Sequence, residues 1–215
     1  MKYRVDNLPW IIRPLYWVVT SFLGLAVYAY YSLCSWTCRI EIAGIDRFES
    51  DQNFIFCFWH ECWWSYFAVV SRHKTPHVWI NHPAAYMRPI HVAIRLFRIK
   101  KLILGSSGEE GRRAADRLVG ILKEGHHSTT ISPDGPNGPP RLLKKGVLHI
   151  AAKSKVPIVP MYVCSSPSIP IPSWDGKKFP LPFSRIKITF HEVIEVTEEN
   201  FETASQQLTR AMTIV

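Results

Sequence analysis

Ser128-Thr129-Thr130-Ile131-Ser132-Pro133-Asp134-Gly135-Pro136-Asn137-Gly138-Pro139-Pro140 is the most informative part of this sequence. It starts as a β-prone run and continues as a turn in which prolines fix φ and Gly or Asn supply the turn conformations. Basic residues follow before the next helical pattern begins. An acid in a stiff turn at the carboxyl end of a strand marks the place where α/β proteins bind ligands.

Short apolar runs alternate with helical patterns along the rest of the chain. Strands are predicted over Arg39–Ile45, Phe54–Trp59, His77–Ile80, Lys101–Leu104, His127–Ile131, Val156–Val163 and Arg185–Val196. Helices are predicted over Glu61–Ser71, Pro89–Phe97, Glu109–Lys123, Lys145–Lys153 and Glu198–Met212, with a proline-rich surface excursion over Ser165–Pro182. This alternation predicts an α/β fold with a mostly parallel central sheet flanked by helices.

Composition indicates an anionic partner at a membrane. The 215 residues carry a net charge of +9, which suits nucleic acid, anionic lipid or a phosphorylated substrate. Aromatic residues make up 13% of the chain, and Trp and Tyr concentrate at the headgroup level of membranes. A lipid surface is therefore favoured over nucleic acid. The cysteine spacing is not that of a zinc site, so no metal is expected.

The N-terminus carries a predicted membrane-associated helix. No charge occurs between Arg13 and Arg39, and a bilayer span needs about 20 apolar residues. Tyrosines make the stretch only moderately apolar, so a helix lying in one leaflet fits as well as a full span. Basic residues occur on both sides of the segment, so charge does not distinguish a cytoplasmic flank from an outer one. This favours a monotopic, cytoplasm-facing anchor over a span. We expect residues 1–38 to form this anchor and residues 39–215 the α/β domain.

His60 is the candidate general base. It directly follows the predicted strand Phe54–Trp59 and opens the next helix. The helix dipole should lower the pKa of this imidazole and keep it neutral, so that it can accept a proton from a hydroxyl. A zinc peptidase motif is excluded, because Trp64 stands at the second histidine position of H-E-x-x-H.

A second loop offers an anion site. Gly105, Ser106 and Ser107 join a predicted strand to a predicted helix, and backbone N–H groups at such a junction bind anions. Arg112 and Arg113 follow in the helix and can reach a phosphate. No G-K-[ST] follows, so the loop is not a P-loop.

The order of these motifs resembles the lysophospholipid acyltransferase superfamily. It is most similar to a bacterial branch of domains of unknown function that is related to lipid A acyltransferases. The resemblance covers roughly residues 54–163. Its specific parts are the Asp134 turn, where the superfamily usually reads Phe-Pro-Glu-Gly-Thr, and the run Val156–Pro160 that ends in an apolar-Pro pair.

The resemblance implies a membrane-associated O-acyltransferase. Such an enzyme moves a fatty acyl group from acyl-CoA or acyl carrier protein, as co-substrate and without a cofactor, to a hydroxyl of a phosphorylated lipid acceptor. The acceptor would be a lysophospholipid or a lipid A precursor, reached from the cytoplasmic face of the inner membrane. His60 would be the base. The implied acceptor pocket consists of Gly105, Ser106, Ser107 and Arg112, with Asp134, Asn137, Arg141 and Lys144 around its floor.

The sequence departs from the superfamily at the acid that orients the histidine. The signature is H-x-x-x-x-D, and Ser65 stands at the acid position here. Asp134 is our first candidate for that acid and Glu61 the second. An alternative frame uses Asn81 and His82, with Met87 at the acid position. We prefer His60, because its strand is more apolar and its spacing to Asp134 fits the superfamily better.

Two other functions stay open at this point. The missing acid is compatible with a catalytically degenerate relative that binds anionic lipid. The basic charge is compatible with a nucleic-acid-binding protein, which the predicted membrane segment disfavours.

Overall fold

The computed structural model describes residues 3–44, 52–70 and 78–213. Within these ranges the helices are α1 (Arg13–Thr37), α2 (Trp63–Val70), α3 (Arg88–Leu96), α4 (Gly108–Lys123), α5 (Gly146–Ser154) and α6 (Phe201–Thr213). The strands are β1 (Arg39–Ala43), β2 (Ile55–Cys57), β3 (Val78–Asn81), β4 (Lys101–Leu104), β5 (Thr129–Ile131), β6 (Ile158–Pro170) and β7 (Lys178–Phe190). Short 3-10 turns over His60–Cys62, Ala85–Met87 and Glu198–Asn200 precede α2, α3 and α6.

The strands form one seven-stranded sheet in the order β1-β7-β6-β2-β5-β3-β4. Neighbouring strands run parallel except in the antiparallel pair β6–β7. The predicted mostly parallel α/β sheet is therefore confirmed. Strand β2 is central, and its last residue Cys57 pairs with Ile131, the last residue of β5. The loops that follow β2 and β5 consequently leave the same edge of the sheet side by side.

Two apolar cores cover the two faces of the sheet. Beneath α4, α5 and α6 the core includes Ile55, Val78, Leu118, Leu148 and Leu208. Beneath α1, α2 and α3 it includes Tyr31, Phe58, Phe67, Trp79 and Ile94. The successive β3 residues Val78 and Trp79 enter opposite cores, as the alternation of a strand requires. Strands buried on both faces are typical of parallel sheets.

Helix α1 packs closely against α3. Gly24 makes this approach possible, since a Cβ there would lie 2.5 Å from Val92 Cβ. The buried guanidinium of Arg88 donates to Thr20 Oγ1 at 2.6 Å and to Ser21 Oγ at 3.0 Å. Both the helix surface and its polar groups therefore hold α1 along the body of the protein.

The outward face of the N-terminal segment is apolar. Its large exposed side chains include Trp10, Ile11, Leu15, Val18, Phe22 and Trp36. By length and composition alone, α1 with its mean hydropathy of 1.4 is a candidate membrane span. Exposed apolar side chains grouped on one segment are typical of an interaction surface. One such helix is weak evidence of membrane association, and the division at residue 38 stays a prediction.

The predicted surface excursion Ser165–Pro182 is wrong. Strand β6 continues to Pro170 and β7 begins at Lys178, so most of this stretch belongs to a long hairpin. Proline is tolerated on edge ribbons and at bulges, and the register shifts between Ser166 and Ser168, around Pro167. Only residues 171–177 form the connecting turn.

Element ends also differ from the predictions. Strand β7 stops at Phe190, and beyond it Ile194 makes only an isolated bridge to Ile158. The predicted ends at Ile45, Ser71 and His77 lie outside the described residues.

Candidate active site

His60 begins the 3-10 turn that links β2 to α2 at the edge of the sheet. Its side chain is 21% exposed. Its backbone N–H donates to Asp134 Oδ1 at 3.0 Å. His60 and Asp134 occupy equivalent positions after the paired strand ends Cys57 and Ile131, which explains why they meet.

Asp134 fastens two loops together. Asp134 is 1% exposed, and its carboxylate also accepts the backbone N–H of Arg141, at 3.2 Å from Oδ2. Arg141 reaches this position with a φ of 56°, a left-handed conformation that costs strain for a residue with a side chain. Burial raises the pKa of Asp134, while the two backbone donors act to lower it.

The expectation that Asp134 orients the imidazole is wrong. The carboxylate bonds the backbone of His60, because the N–H at the strand end faces it directly. Glu61 does not orient the ring either. Its Oε1 lies 2.5 Å from Arg141 Nη2 and 3.2 Å from Arg141 Nε, since neighbouring side chains diverge at the start of a helix.

Asp175 is the acid that faces the imidazole. Its Oδ2 lies 2.6 Å from His60 Nδ1, and the Asp175 side chain is fully buried. Ser173 Oγ donates to Asp175 Oδ1 at 2.8 Å, and Lys177 Nζ donates to Oδ2 at 2.6 Å. The turn of the β6–β7 hairpin thus brings a carboxylate to the imidazole, which the adjacent Glu61 does not do.

Sequence reasoning missed Asp175 because it treated residues 165–182 as a surface excursion. One signal was present. Asp175 is the only acid between positions 165 and 182, and Asp175-Gly176 is a turn-forming pair between two proline-rich runs. An isolated acid in a turn between strands is a candidate for an edge-of-sheet site.

The electrostatics of the pair favour a neutral imidazole. Burial lowers the pKa of His60, the hydrogen bond to Asp175 acts to raise it, and the charge of Lys177 acts to lower it. Burial would raise the pKa of Asp175, but hydrogen bonds from Lys177, His60 and Ser173 bring it below its usual range. The short contact to an ionised carboxylate assigns the ring proton to Nδ1. His60 Nε2 makes no hydrogen bond to any residue the structure describes, so it is available to a substrate.

Trp174 closes one side of the imidazole. The two rings stack with centroids 5.1 Å apart and an interplanar angle of 29°. Gly138 lies beneath the indole with a φ of 60°, and a Cβ there would sit 2.5 Å from the Trp174 ring. The turn that contains Asp134 and the hairpin turn therefore pack on each other around His60.

Three predicted acceptor residues lie on the Asp134 loop. Asn137, Arg141 and Lys144 are all exposed beside the loop that bonds His60. The backbone of Lys144 donates to Pro133 O at 2.9 Å, which holds this basic residue against the turn. Their role in binding an acceptor stays a prediction.

The other predicted acceptor residues lie farther along the same edge. Gly105, Ser106 and Ser107 follow β4, which β5 and β3 separate from β2. Three strand spacings amount to about 14 Å. Gly105 N–H donates to Asn81 O at 3.0 Å, and Ser107 and Arg112 are exposed. An acceptor that used both loops would have to extend along the edge of the sheet, so this role also stays a prediction.

The alternative histidine has a different environment. His82 Nδ1 accepts the backbone N–H of Ala84 at 3.2 Å, and the backbone of His82 donates to Asn81 Oδ1 at 2.8 Å. A neutral ring that accepts at Nδ1 carries its proton on Nε2, so no basic nitrogen is left free. Of these two histidines, His60 is the one whose Nε2 stays free when the proton lies on Nδ1. In the described ranges no group of three or more His, Cys, Asp or Glu is arranged to hold a metal.

Comparison with solved structures finds a protein of the same fold, whereas comparison with family models finds no match. An uncharacterized protein of Rickettsia prowazekii (strain Madrid E) is 26% identical over 173 residues, which cover 78% of each chain. The crystal structure of the 1-acyl-sn-glycerophosphate (LPA) acyltransferase PlsC from Thermotoga maritima matches with a TM-score of 0.56 and 17% identity. That match covers 90% of this chain and 79% of the other. The chain thus shares the fold of an acyltransferase.

Proposed function

We propose that this protein is a membrane-associated O-acyltransferase with His60 as its general base. The observation that carries the proposal is the pairing of His60 Nδ1 with the buried Asp175, 2.6 Å apart, at the carboxyl edge of the sheet. That sheet belongs to a fold shared with an acyltransferase. A neutral imidazole with a free Nε2 is suited to removing a proton from a hydroxyl.

The reaction uses His60 twice. His60 Nε2 takes the proton of the acceptor hydroxyl while the oxygen attacks the thioester carbonyl of the acyl donor. The tetrahedral intermediate then collapses, the C–S bond breaks, and the imidazolium returns the proton to the leaving thiolate. Asp175 holds the ring in the required tautomer and stabilises the transient imidazolium, as the acid of a catalytic triad does.

The proposed acceptor is a phosphorylated lipid, either a lysophospholipid or a lipid A precursor. Arg141 and Lys144 lie on the loop that bonds His60, and the chain carries a net charge of +9. The similar fold of an enzyme named for 1-acyl-sn-glycerophosphate supports an acceptor of this type. The proposed donor is acyl-CoA or acyl carrier protein, and the reaction as written requires no cofactor.

The proposed position is the cytoplasmic face of the inner membrane, with α1 lying in the interface. Arg88 donates to Thr20, Ser21 and the Trp17 carbonyl, so a guanidinium is fixed near the middle of the N-terminal half of α1. A charge held in the hydrocarbon region is costly, and a full span would place it there. A helix in one leaflet keeps its apolar outer face in lipid and Arg88 on the protein side.

A direct assay tests the proposal. Purified protein with lipid vesicles is supplied with radiolabelled acyl-CoA or acyl carrier protein and a panel of lysophospholipids and lipid A precursors. We expect one acceptor class to be acylated, His60→Ala to lose the activity and His82→Ala to retain it. Absence of product with every acceptor, or full activity in His60→Ala, would contradict the proposal.

A catalytically degenerate, lipid-binding relative is the less favoured alternative. It rested on the missing acid at Ser65, and Asp175 supplies an acid from another part of the chain. The two functions differ in cells. A catalytic protein requires that His60→Ala change the lipid profile as a deletion does, whereas a lipid-binding protein requires only the deletion to change it.

A further inference from the structure

The ammonium group of Lys177 contacts both His60 and Asp175. Its Nζ is 2.6 Å from Asp175 Oδ2 and 3.3 Å from His60 Nδ1, and its side chain is only 17% exposed. The turn fixes this position, because Lys177 N–H donates to Ser173 Oγ at 3.2 Å and Lys177 O accepts the Ile171 N–H at 2.8 Å. A basic side chain in contact with both members of an acid–base pair is not needed for the proton transfer itself.

The charge balance among Asp175, His60 and Lys177 explains why a lysine lies here. A buried carboxylate is costly unless a positive charge compensates it. With Lys177 present, the ammonium compensates Asp175 and the neutral form of His60 leaves the group uncharged overall. Without Lys177, a protonated His60 would be the compensating cation, and an imidazolium cannot act as a base.

We propose that Lys177 is a positioning residue that neutralises Asp175 in place of a protonated His60 and so keeps the imidazole neutral, with its proton on Nδ1. This inference rests on the proposed function for its catalytic meaning. Its chemical content, the protonation state of His60, is independent of which substrate the protein uses.

The other charged groups around His60 do not replace Lys177. Asp134 faces the backbone of His60 and uses its carboxylate on two N–H groups. Glu61 and Arg141 compensate each other in their own ion pair. Of the groups with these contacts, only Lys177 bonds Asp175 and also touches the imidazole.

NMR titration of the histidine ring signals tests the inference. Loss of a signal in His60→Ala assigns the ring, and its nitrogen shifts report the tautomer. In the wild type we expect His60 to titrate below its own midpoint in urea-unfolded protein, with the proton of the neutral form on Nδ1. In Lys177→Met the midpoint should rise, and in Lys177→Arg it should stay near the wild-type midpoint. In Asp175→Asn it should fall, because the interaction that favours the charged ring is lost.

Lys178→Met is the matched control. It removes the same charge from the adjacent exposed position of the hairpin, so it should leave the midpoint unchanged. Circular dichroism establishes that each variant is folded, and Lys177→Gln serves as a second uncharged variant. The inference is overturned if the wild-type ring carries its proton on Nε2. It is equally overturned if removing Lys177 leaves the midpoint unchanged or lowers it.

Kinetics separate this inference from the proposed function. In Lys177→Met the acid limb of kcat/KM should move to higher pH, while kcat at high pH approaches that of the wild type. A merely structural role would lower the rate equally at all pH values. If the NMR midpoint shifts as expected but no acceptor is acylated, the proton inference stands and the acyltransferase proposal fails.

Discussion

Two buried acids, Asp134 and Asp175, bind different parts of His60. Asp134 binds the backbone N–H of His60, and Asp175 binds the ring. The division follows from where each acid comes from. Asp134 follows β5, the parallel neighbour of β2, so its carboxylate lies beside the backbone of His60. Asp175 belongs to the turn between β6 and β7, which lies beside the imidazole ring of His60. Changing Asp134 should therefore lower the stability of the fold, and changing Asp175 should lower the rate of the proposed reaction.

Asp175→Asn should lower kcat strongly with little change in KM. The amide keeps the shape but no longer fixes the ring proton on Nδ1, and the equivalent change in a serine protease costs about 10⁴-fold. Steady-state kinetics of acyl transfer provide the measurement. Asp116→Asn, an exposed change in an ion pair on α4, is the control and should behave as wild type. A loss confined to KM would contradict the orienting role.

Asp134→Ala should destabilise the protein. The change leaves the backbone N–H groups of His60 and Arg141 without their acceptor in a partly buried place, which costs up to about 1–3 kcal/mol per group. Urea unfolding followed by circular dichroism measures the loss. Unchanged stability would show that water replaces the carboxylate and that Asp134 does not fasten the two loops.

The pH dependence expected of the proposed reaction follows from the lowered pKa of His60. Only the neutral ring is a base, so kcat/KM should rise with pH and reach half its plateau below the usual imidazole value of about 6.5. The pH profile of kcat/KM with a fixed donor measures this. A midpoint above the usual value would mean that Asp175 outweighs burial and Lys177.

Local sequence patterns predicted most strands and helices, but they did not predict which distant turns meet. The runs around Ile131 and Cys57 identified two strand ends and correctly placed His60 beside Asp134. Asp175 has no local signature that ties it to His60, because the contact depends on the path of a hairpin. The strand order likewise separates Gly105 from His60, and no residue pattern near Gly105 encodes that order.

The packing of α1 on α3 gives a matched pair of substitutions. Gly24 and Gly120 both lie inside helices, but a Cβ on Gly24 would collide with Val92, whereas one on Gly120 would meet nothing within 4 Å. Gly120→Ala should stabilise the protein by about 0.5–1 kcal/mol. Gly24→Ala should instead destabilise it by about 1–3 kcal/mol through overpacking. Thermal unfolding distinguishes them, and equal shifts would mean that α1 does not pack closely on α3.

The apolar outer side of α1 sets the orientation that we expect for the protein on a membrane. The inner side of the helix belongs to one core, so only the outer side is free for lipid. α6 covers the opposite face of the sheet. A vesicle surface should therefore contact the α1 side of the molecule and leave α6 in water.

Phe22→Ser tests this orientation. Phe22 is 75% exposed, and burying such a side chain in lipid contributes about 1.5–3 kcal/mol, so the change should weaken vesicle binding about tenfold or more. Flotation with anionic phospholipid vesicles measures the partition. Gln206→Ser, on the exposed side of α6, is the control and should bind as wild type. Equal binding by all three proteins would contradict the orientation.

The separation of His60 and Asp175 along the chain also determines when their contact can form during synthesis. His60 and Asp175 are 115 positions apart, and the strands of the hairpin flank the acid. A chain emerging from the ribosome therefore displays His60 and Asp134 long before the partner of the imidazole has been synthesised. The proposed acyl transfer would therefore gain its orienting acid only after β7 has paired with β6, when the sheet is nearly complete.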